Sequence, residues 1–378
     1  TEQGGAGTMR VVAMPGASST PAGAVQQDDG SVPASPGLGQ GRGGQGSGGQ
    51  SGTAQNDTAQ GGAGASVAAG QAGAGQAGAS APSGSAGSGS VAAPVAPGPA
   101  LPPANIATRV WSIGAAGTEP GMFDEARFMS VDDAGNIYVA EFEVDGPARV
   151  QRFDAQGRFV NQWLAADPAI ITDMAADRNG QLYVLQGGAI NRYDGPTGAA
   201  LGPLDLGPLD LAASADSIKA IAPAPDNGLL AVSRTRLLRF DPAGQLTLAV
   251  EDTLEAALES AFNVSYAALD AQGNAYVLST FEFAVYEFDP AGTFLTSFGA
   301  EGDGPGLFRV SPAAVVVDRR GRVYIDDFDG IEVFEPSGAS RGLIPTPAAI
   351  FAMDVTEQDE LIVLDRNAAT LTKYALTP

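Results

Sequence analysis

The 378-residue chain contains no cysteine and no histidine. It therefore cannot form a disulfide, a Ser-His-Asp triad, a cysteine nucleophile or a zinc site built on thiolate or imidazole ligands. Carboxylates, carbonyls, hydroxyls, lysine, arginine and tyrosine are the groups left for chemistry at a site. Oxygen ligands of this kind favour Ca²⁺ or Mg²⁺ among the metals.

Aromatic residues are absent from residues 1–105, which hold 26 of the 51 glycines. Such a segment buries too little apolar surface to offset the entropy that ordering would cost. We therefore predict a low-complexity tail rich in Gly, Ala, Ser and Pro, with a Pro-rich extended spacer at 93–103. All 26 aromatic residues lie in 106–378, which is long enough for one domain with a large core.

Positive charge is scarce, with 20 Lys and Arg residues against 43 Asp and Glu. Residues 106–378 carry 39 of these acids and 18 of these bases, a formal net charge of −21. A domain so acidic repels phosphate backbones and anionic lipids, so neither nucleic acid nor a membrane surface is an expected partner. No apolar run approaches the roughly 20 residues of a membrane-spanning helix, so membrane insertion is not expected either.

An internal repeat organises the C-terminal part of the chain. Four copies share an Asp, two polar or small residues, a Gly, two variable residues, a Tyr and a β-branched residue. They lie at 132–139, 177–184, 270–277 and 318–325, and looser copies near 225–232 and at 354–363 bring the number to six. Each copy predicts a hairpin, because the Gly permits the positive φ of a short turn and the Asp binds the turn's own amides. These aspartates are thus assigned a structural role.

A second motif follows each copy, and the two together predict the fold. It is a strand ending in an aromatic residue, then an acid and a turn, as at 149–157, 237–244 and 285–292. One more short strand follows most of these, and the only helix predicted is a short one at 252–261. Four antiparallel strands in every 45 to 50 residues predict an all-β, six-bladed β-propeller.

The strand count also predicts how the ring closes. The chain ends after the third strand of the sixth unit, so one strand of that blade has to come from elsewhere. A strand-like segment precedes the first unit and is expected to pair with the last blade, which leaves no open seam. Its residues are Arg109, Val110, Trp111, Ser112 and Ile113.

The first period resembles an NHL repeat. The likeness lies in the connection 114–123 (GAAGTEPGMF), the hairpin 132–141 (DDAGNIYVAE) and the strand 149–154 (RVQRFD), and 298–308 (FGAEGDGPGLF) repeats the connection. It covers about 109–378 and implies a six-bladed propeller. RNA-binding NHL domains need a basic face and similar amidating lyases need His-ligated zinc, so this composition disfavours both. Similar propeller lactonases hold Ca²⁺ in the central channel on Glu, Asn and Asp, which the composition allows.

The best candidate metal ligands are Asp326, Asp327 and Asp329 in the stretch IDDFDG, with Glu141 and Glu143 at the equivalent point of the first unit. They follow the second strand of a blade, where side chains emerge on one face of a propeller. Three carboxylates at this spacing suit Ca²⁺. The alternative is a solvated acidic loop, since the EF-hand pattern is absent.

One segment of the tail is rich in strand-forming residues, with Pro and Gly directly after it. We predict that it acts as a donor strand, which adds to a blade edge of another copy. Its residues are Thr8, Met9, Arg10, Val11, Val12, Ala13 and Met14.

Together these features predict a secreted, non-enzymatic structural or binding protein, located outside the cell or at its surface, which assembles into filaments through its tail. The expected partners are other copies of the chain, and other surface proteins or glycans. This function requires no catalytic residue and no cofactor, with Ca²⁺ as the candidate metal. The alternative is a Ca²⁺-dependent propeller hydrolase of the lactonase kind.

Overall fold

The structure is a computed structural model that describes residues 106–206, 217–251, 264–346, 350–365 and 367–378. The predictions for the tail, including the donor strand and the Pro-rich spacer, lie outside these residues, as does the predicted helix. Within the described part of the chain, no helix has the length and apolar character needed to cross a membrane.

Twenty-four strands in the described ranges form six antiparallel sheets of four strands, which are the blades of a β-propeller. In the first five blades, four consecutive strands pair in chain order. The strands of the first three blades are β2 (Ala126–Val131), β3 (Ile137–Glu141), β4 (Arg149–Phe153) and β5 (Phe159–Leu164); β6 (Ile171–Ala176), β7 (Gln181–Gln186), β8 (Ala189–Asp194) and β9 (Ala199–Pro203); and β10 (Ala220–Pro223), β11 (Leu229–Val232), β12 (Arg236–Phe240) and β13 (Leu246–Glu251).

The fourth and fifth blades repeat this order, and the sixth combines the two ends of the domain. Their strands are β14 (Val264–Leu269), β15 (Ala275–Ser279), β16 (Ala284–Phe288) and β17 (Phe294–Phe298); β18 (Val315–Val317), β19 (Val323–Asp327), β20 (Gly330–Phe334) and β21 (Ser340–Pro345); and β1 (Ala107–Ile113) with β22 (Ile350–Val355), β23 (Glu360–Asp365) and β24 (Thr370–Leu376). The all-β, six-bladed prediction is confirmed.

Ring closure also follows the prediction. Strand β1 pairs antiparallel with β24, so the sixth sheet has the order β1-β24-β23-β22. Arg109 lies opposite Tyr374 and Ile113 opposite Leu371, with a bulge between Arg109 and Trp111. The N-terminal strand therefore covers what would otherwise be an open edge at the end of the chain.

The hairpin turns explain why the repeat recurs in the sequence. Gly135, Gly180, Gly273 and Gly321 have φ between 77° and 84°, a range that disfavours residues with a Cβ atom. In the third blade the left-handed residue is Asn227 and not the neighbouring Gly228, because Asn also tolerates this conformation.

The repeat aspartates hold these turns together. Asp318 accepts hydrogen bonds from the backbone N–H groups of Arg320 and Arg322, both at 2.9 Å. Its other oxygen accepts from the Tyr324 hydroxyl at 3.0 Å and from Nε of Arg322 at 2.6 Å. The carboxylate is therefore fully engaged in local structure, as its position in the motif indicated.

Two similar connections precede the first and fifth blades, and each is held by one side chain of the third strand of its blade. In the first, Gln151 accepts from Gly121 N and donates to Met122 O, both at 2.8 Å. In the fifth, Glu332 occupies the equivalent position and accepts a longer and weaker hydrogen bond from Gly306 N, at 3.5 Å. Glu332 is 7% exposed. Burial, with a smaller contribution from the charge of Asp327, raises the pKa of Glu332 to about 6.

We expect Glu332→Gln to stabilise the protein above pH 6 by about 1 kcal/mol. The raised pKa means that the folded state prefers the protonated acid, so its stabilising effect is full below the unfolded pKa near 4.5 and is lost as the pH rises through about 6. The amide removes this loss and supplies the donor that Gln151 has in the first blade.

Urea unfolding at pH 4.0 and pH 8.0 measures the effect. The free energy of unfolding of the variant should exceed that of the parent at pH 8.0 and equal it at pH 4.0. The reciprocal change Gln151→Glu should instead weaken the protein at pH 8.0. A gain of equal size at both pH values would show that ionisation of Glu332 is not the cause.

Candidate functional site

The first strand of each blade lines a central channel. A cavity of about 120 Å³ lies in this channel, and all six innermost strands contribute to its wall. Small apolar side chains make up much of the lining, including Ala267, Ala314 and Ala352. The polar side chains among them are few, and they come from four of the six blades.

Bulges at the start of two innermost strands place side chains in the wall of this cavity. Four of the innermost strands have a register shift after their first residue. The extra residue is Arg127 in β2 and Phe351 in β22. A bulge turns its side chain away from the regular alternation of a strand. Arg127 and Phe351 both line the cavity.

Asp173 is the acid of the second blade that faces the cavity. Its oxygens accept hydrogen bonds from Ile221 N at 2.7 Å, across the gap to the third blade, and from Met174 N at 2.8 Å. Burial raises the pKa of Asp173 to about 7, and the two backbone hydrogen bonds oppose that rise. Asp173 is therefore close to half ionised at neutral pH.

Tyr266 of the fourth blade lines the same cavity. Burial raises the pKa of Tyr266 to about 12, with further increases from the charges of Asp173 and Asp326 and an opposing effect from Arg127. The phenol is thus protonated at neutral pH and can donate a hydrogen bond to a bound molecule.

Arg127 is the basic side chain in the wall of this cavity, and its charge opposes the rise in the pKa of Tyr266. Its guanidinium carbon lies 3.7 Å from the centroid of the Phe142 ring and 6.0 Å from that of Phe351. One amino group donates to Glu125 at 3.3 Å, and the Arg127 side chain is 29% exposed. Its Nε–H is buried without an acceptor in the described part of the chain. The protein therefore satisfies the donors of this guanidinium only in part.

Asp354 of the sixth blade also reaches the cavity, but its hydrogen bonds give it a structural role. One oxygen accepts from Ser130 Oγ at 3.0 Å and from Val131 N at 2.7 Å, and the other from Val355 N at 2.8 Å. Ser130 Oγ in turn accepts from Ala176 N at 2.9 Å. This chain of hydrogen bonds connects the sixth, first and second blades. Burial raises the pKa of Asp354 to about 6.

The other end of the channel is spanned by ion pairs. Arg178 contacts Asp133 at 3.8 Å and Glu357 at 3.0 Å, and Arg319 contacts Glu357 at 2.7 Å. These residues line a second cavity just beyond the C-terminal ends of the innermost strands. Paired charges across this mouth favour access to the first cavity from the opposite end, where Arg127 lies.

The structure brings the predicted metal ligands together only loosely, because each has its own partner. Asp326 accepts from Ala313 N at 2.7 Å and Ala314 N at 2.6 Å. Asp327 accepts from Arg309 N at 2.8 Å, and Asp329 forms an ion pair with the Arg309 guanidinium.

The equivalent acids of the first blade are also engaged. Glu141 pairs with Arg149 at 2.5 Å, and Glu143 accepts from Val144 N and Asp145 N in its own loop. Across the described ranges, no group of three or more acidic side chains is placed to hold a metal. The donor set that the lactonase resemblance implies for Ca²⁺ does not fit these residues.

Sequence reasoning missed Arg127, Asp173 and Tyr266. No repeat position marks them, since each is a polar residue in the otherwise largely apolar first strand of its blade. An acid inside the strand ITDMAA was the available signal, because a buried carboxylate needs a specific reason to be there.

Solved structures with a similar fold include three propellers. A protein of unknown function from Bacteroides thetaiotaomicron has a TM-score of 0.51 at 18% identity, covering 71% of this chain and 76% of the other. A streptogramin B lyase has a TM-score of 0.50 at 11% identity, covering 71% of this chain and 88% of the lyase. A gluconolactonase from Xanthomonas campestris has a TM-score of 0.47 at 19% identity, covering 67% of this chain and 86% of the gluconolactonase. Identities this low show likeness of fold alone.

No family model and no curated protein matches the chain, so the NHL resemblance stays a prediction. The prediction of a non-enzymatic, self-assembling structural subunit is wrong: the similar streptogramin B lyase, at a TM-score of 0.50, is an enzyme. The chain is similar in fold to this lyase, and its own activity has to be argued from its channel.

Proposed function

We propose that the chain is an enzyme that hydrolyses small esters or lactones in the channel cavity. The observation that carries the proposal is Asp173, whose pKa of about 7 suits proton transfer at neutral pH, in one cavity with Tyr266 and Arg127. The cavity's ~120 Å³ is below the roughly 300–1,000 Å³ of pockets for drug-sized ligands, so the substrate is small.

The three side chains have complementary roles in hydrolysis. Ionised Asp173 takes a proton from water while the water oxygen bonds to the ester carbonyl carbon. The Tyr266 hydroxyl and the Arg127 guanidinium stabilise the negative charge that develops on the carbonyl oxygen. The carbon–oxygen bond of the ester or lactone ring then breaks, and the leaving oxygen takes the proton from Asp173.

This mechanism assigns no step to a metal. Within the described part of the chain, no group of three or more acidic side chains is placed to hold a cation, and the two acids of the channel wall, Asp173 and Asp354, come from different blades. The channel therefore differs in its donor set from the Ca²⁺ site of the lactonase kind that the sequence suggested as an alternative.

The test is a screen of the full chain against δ-gluconolactone, γ-butyrolactone and p-nitrophenyl acetate, with EGTA and with added Ca²⁺. Hydrolysis in EGTA supports the proposal. Hydrolysis that requires Ca²⁺ would favour the calcium-dependent alternative, and no hydrolysis of any small ester or lactone would contradict both.

Tyr266→Phe is expected to lower kcat by roughly 10-fold to 100-fold with little change in KM, because the hydroxyl acts mainly on the charge that forms in the transition state. Steady-state kinetics on the best substrate of the screen measure this. Tyr286→Phe is the matched control, since that tyrosine lies in the third strand of the fourth blade and does not line the cavity. Equal effects of both substitutions would indicate a change in packing and not in catalysis.

A further inference from the structure

We infer that the channel cavity takes a small molecule that carries a carboxylate beside a planar apolar group, with Arg127 binding the carboxylate. The inference rests on the proposed function, because it names the substrate class of the same cavity. Three features of the cavity carry it: the charge at its open end, the free donors of Arg127 and the apolar character of its walls.

Two basic residues stand at the starts of innermost strands, at the open end of the channel, in a domain that is strongly acidic. Arg127 occupies the bulge of the first blade, and Lys219 stands just before the innermost strand of the third blade, its Nζ 2.9 Å from Ser217 Oγ. Thr172 and Ser265, in the bulges of the second and fourth blades, are uncharged. Against a net charge of −21 for residues 106–378, cations at this mouth attract an anion locally.

Arg127 is arranged to receive a carboxylate at the edge of its guanidinium. Phe142 packs at 3.7 Å from the guanidinium carbon, so an aromatic ring holds the group in place. Glu125 takes one donor and is itself 46% exposed, which weakens that ion pair. An arginine has five N–H donors in a planar fork that matches a carboxylate, so donors remain for a ligand.

The other titratable groups of the cavity do not oppose an anion strongly. Tyr266 is neutral, and at pH 6 the raised pKa of Asp173 leaves that acid mostly protonated. Asp354 is bound by Ser130 and by backbone N–H groups, which stabilise its charge locally. Arg127 therefore determines which ligand charge the open end accepts.

The walls favour an apolar body over a polyhydroxylated one. The cavity is lined by Phe128, Phe351, Met174 and Val316, with alanines between them. A sugar lactone would leave most of its hydroxyl groups without partners on such walls, and each unsatisfied group weakens binding. A flat apolar group fits between partly exposed aromatic side chains at no such cost.

The experiment compares phenylacetate with phenylacetamide, which has the same shape and no charge. Binding of each probe to the full chain at pH 6 and low salt is measured by ligand-observed NMR titration. We expect phenylacetate to bind at least tenfold more tightly than phenylacetamide. Arg127→Gln should abolish this preference, and Arg127→Lys should keep part of it.

Arg158→Gln is the matched control. It removes the same charge from a side chain that is 75% exposed and pairs with Asp154 in an outer turn of the first blade. The preference for phenylacetate should survive this change. Thermal melting of each variant verifies that the propeller is intact.

Equal binding of the two probes, or a preference that persists in Arg127→Gln, would overturn the inference. The proposed function fails separately. Selective binding of phenylacetate without hydrolysis of any ester would support the carboxylate site and contradict the proposed hydrolase activity. Hydrolysis of neutral and anionic esters with equal kcat/KM, and no selective binding, would do the reverse.

Discussion

Replacement of Asp173 by asparagine is expected to lower kcat for ester or lactone hydrolysis by roughly 100-fold to 1,000-fold, because the amide cannot take a proton from water. The asparagine oxygen can still accept the hydrogen bond from Ile221 N that connects the second and third blades, whereas Met174 N loses its acceptor. Steady-state kinetics at pH 8 measure the loss. Asp133→Asn, at the opposite mouth, is the control and should leave kcat unchanged.

The pH dependence of the parent enzyme identifies the same group. Asp173 works as a base only when ionised, and burial places its pKa at about 7. The rate kcat/KM should therefore rise about tenfold per pH unit below pH 7 and level off above it. The inflection should remain in the control Asp133→Asn. If it also remains in the residual activity of Asp173→Asn, a group other than Asp173 is responsible for it.

Stability measurements separate this role from a merely structural one. The raised pKa means that protonated Asp173 favours the folded state and that this contribution is lost as the pH rises through about 7. Asp173→Asn should therefore lose activity at pH 8 with little change in stability, because removal of the buried charge offsets the lost hydrogen bond from Met174 N. A variant that is both inactive and strongly destabilised at pH 8 would show that Asp173 supports the fold instead.

Deletion of residues 1–113 is expected to lower the melting temperature by roughly 10 °C or more relative to a chain that starts at residue 106. The longer deletion removes β1, which pairs with β24 over its full length. It exposes the edge of β24 and removes Trp111 and Ile113, which pack on a core shared by the first and sixth blades.

The two deletions are compared by differential scanning calorimetry at matched concentration. Deletion of residues 1–105 alone should leave the melting temperature close to that of the full chain. Equal melting temperatures for the chains that start at 106 and at 114 would mean that β1 does not hold the ring closed.

The order and number of blades could be predicted from the sequence because the information is local. A Gly at positive φ and an Asp that binds its own turn define each hairpin within about five residues, and the repeat of 45 to 48 residues then gives six units. The closing strand followed from the strand count alone. In the third blade the same local rule allowed a substitute, since Asn227 adopts the conformation that Gly adopts elsewhere.

The acidic stretch at 326–329 shows where local reasoning ended. Its spacing suited a cation, but only the fold determines that Asp326 faces the amides of Ala313 and Ala314 and that Asp329 faces Arg309. The prediction of a structural filament relied on the composition of the tail and its strand-forming segment, and the channel entered only through the lactonase alternative. Composition describes a whole segment, whereas a site depends on a few side chains.

An all-β propeller with its turn chemistry follows from the sequence alone, because each hairpin depends on neighbours in the chain, and the count of strands was enough for six blades and for closure by an N-terminal strand. The tertiary structure decided the candidate site, because Arg127, Asp173 and Tyr266 belong to three blades and come together only when the ring closes. It also decided their protonation, since the pKa of Asp173 rises through burial in a channel that no single blade contains.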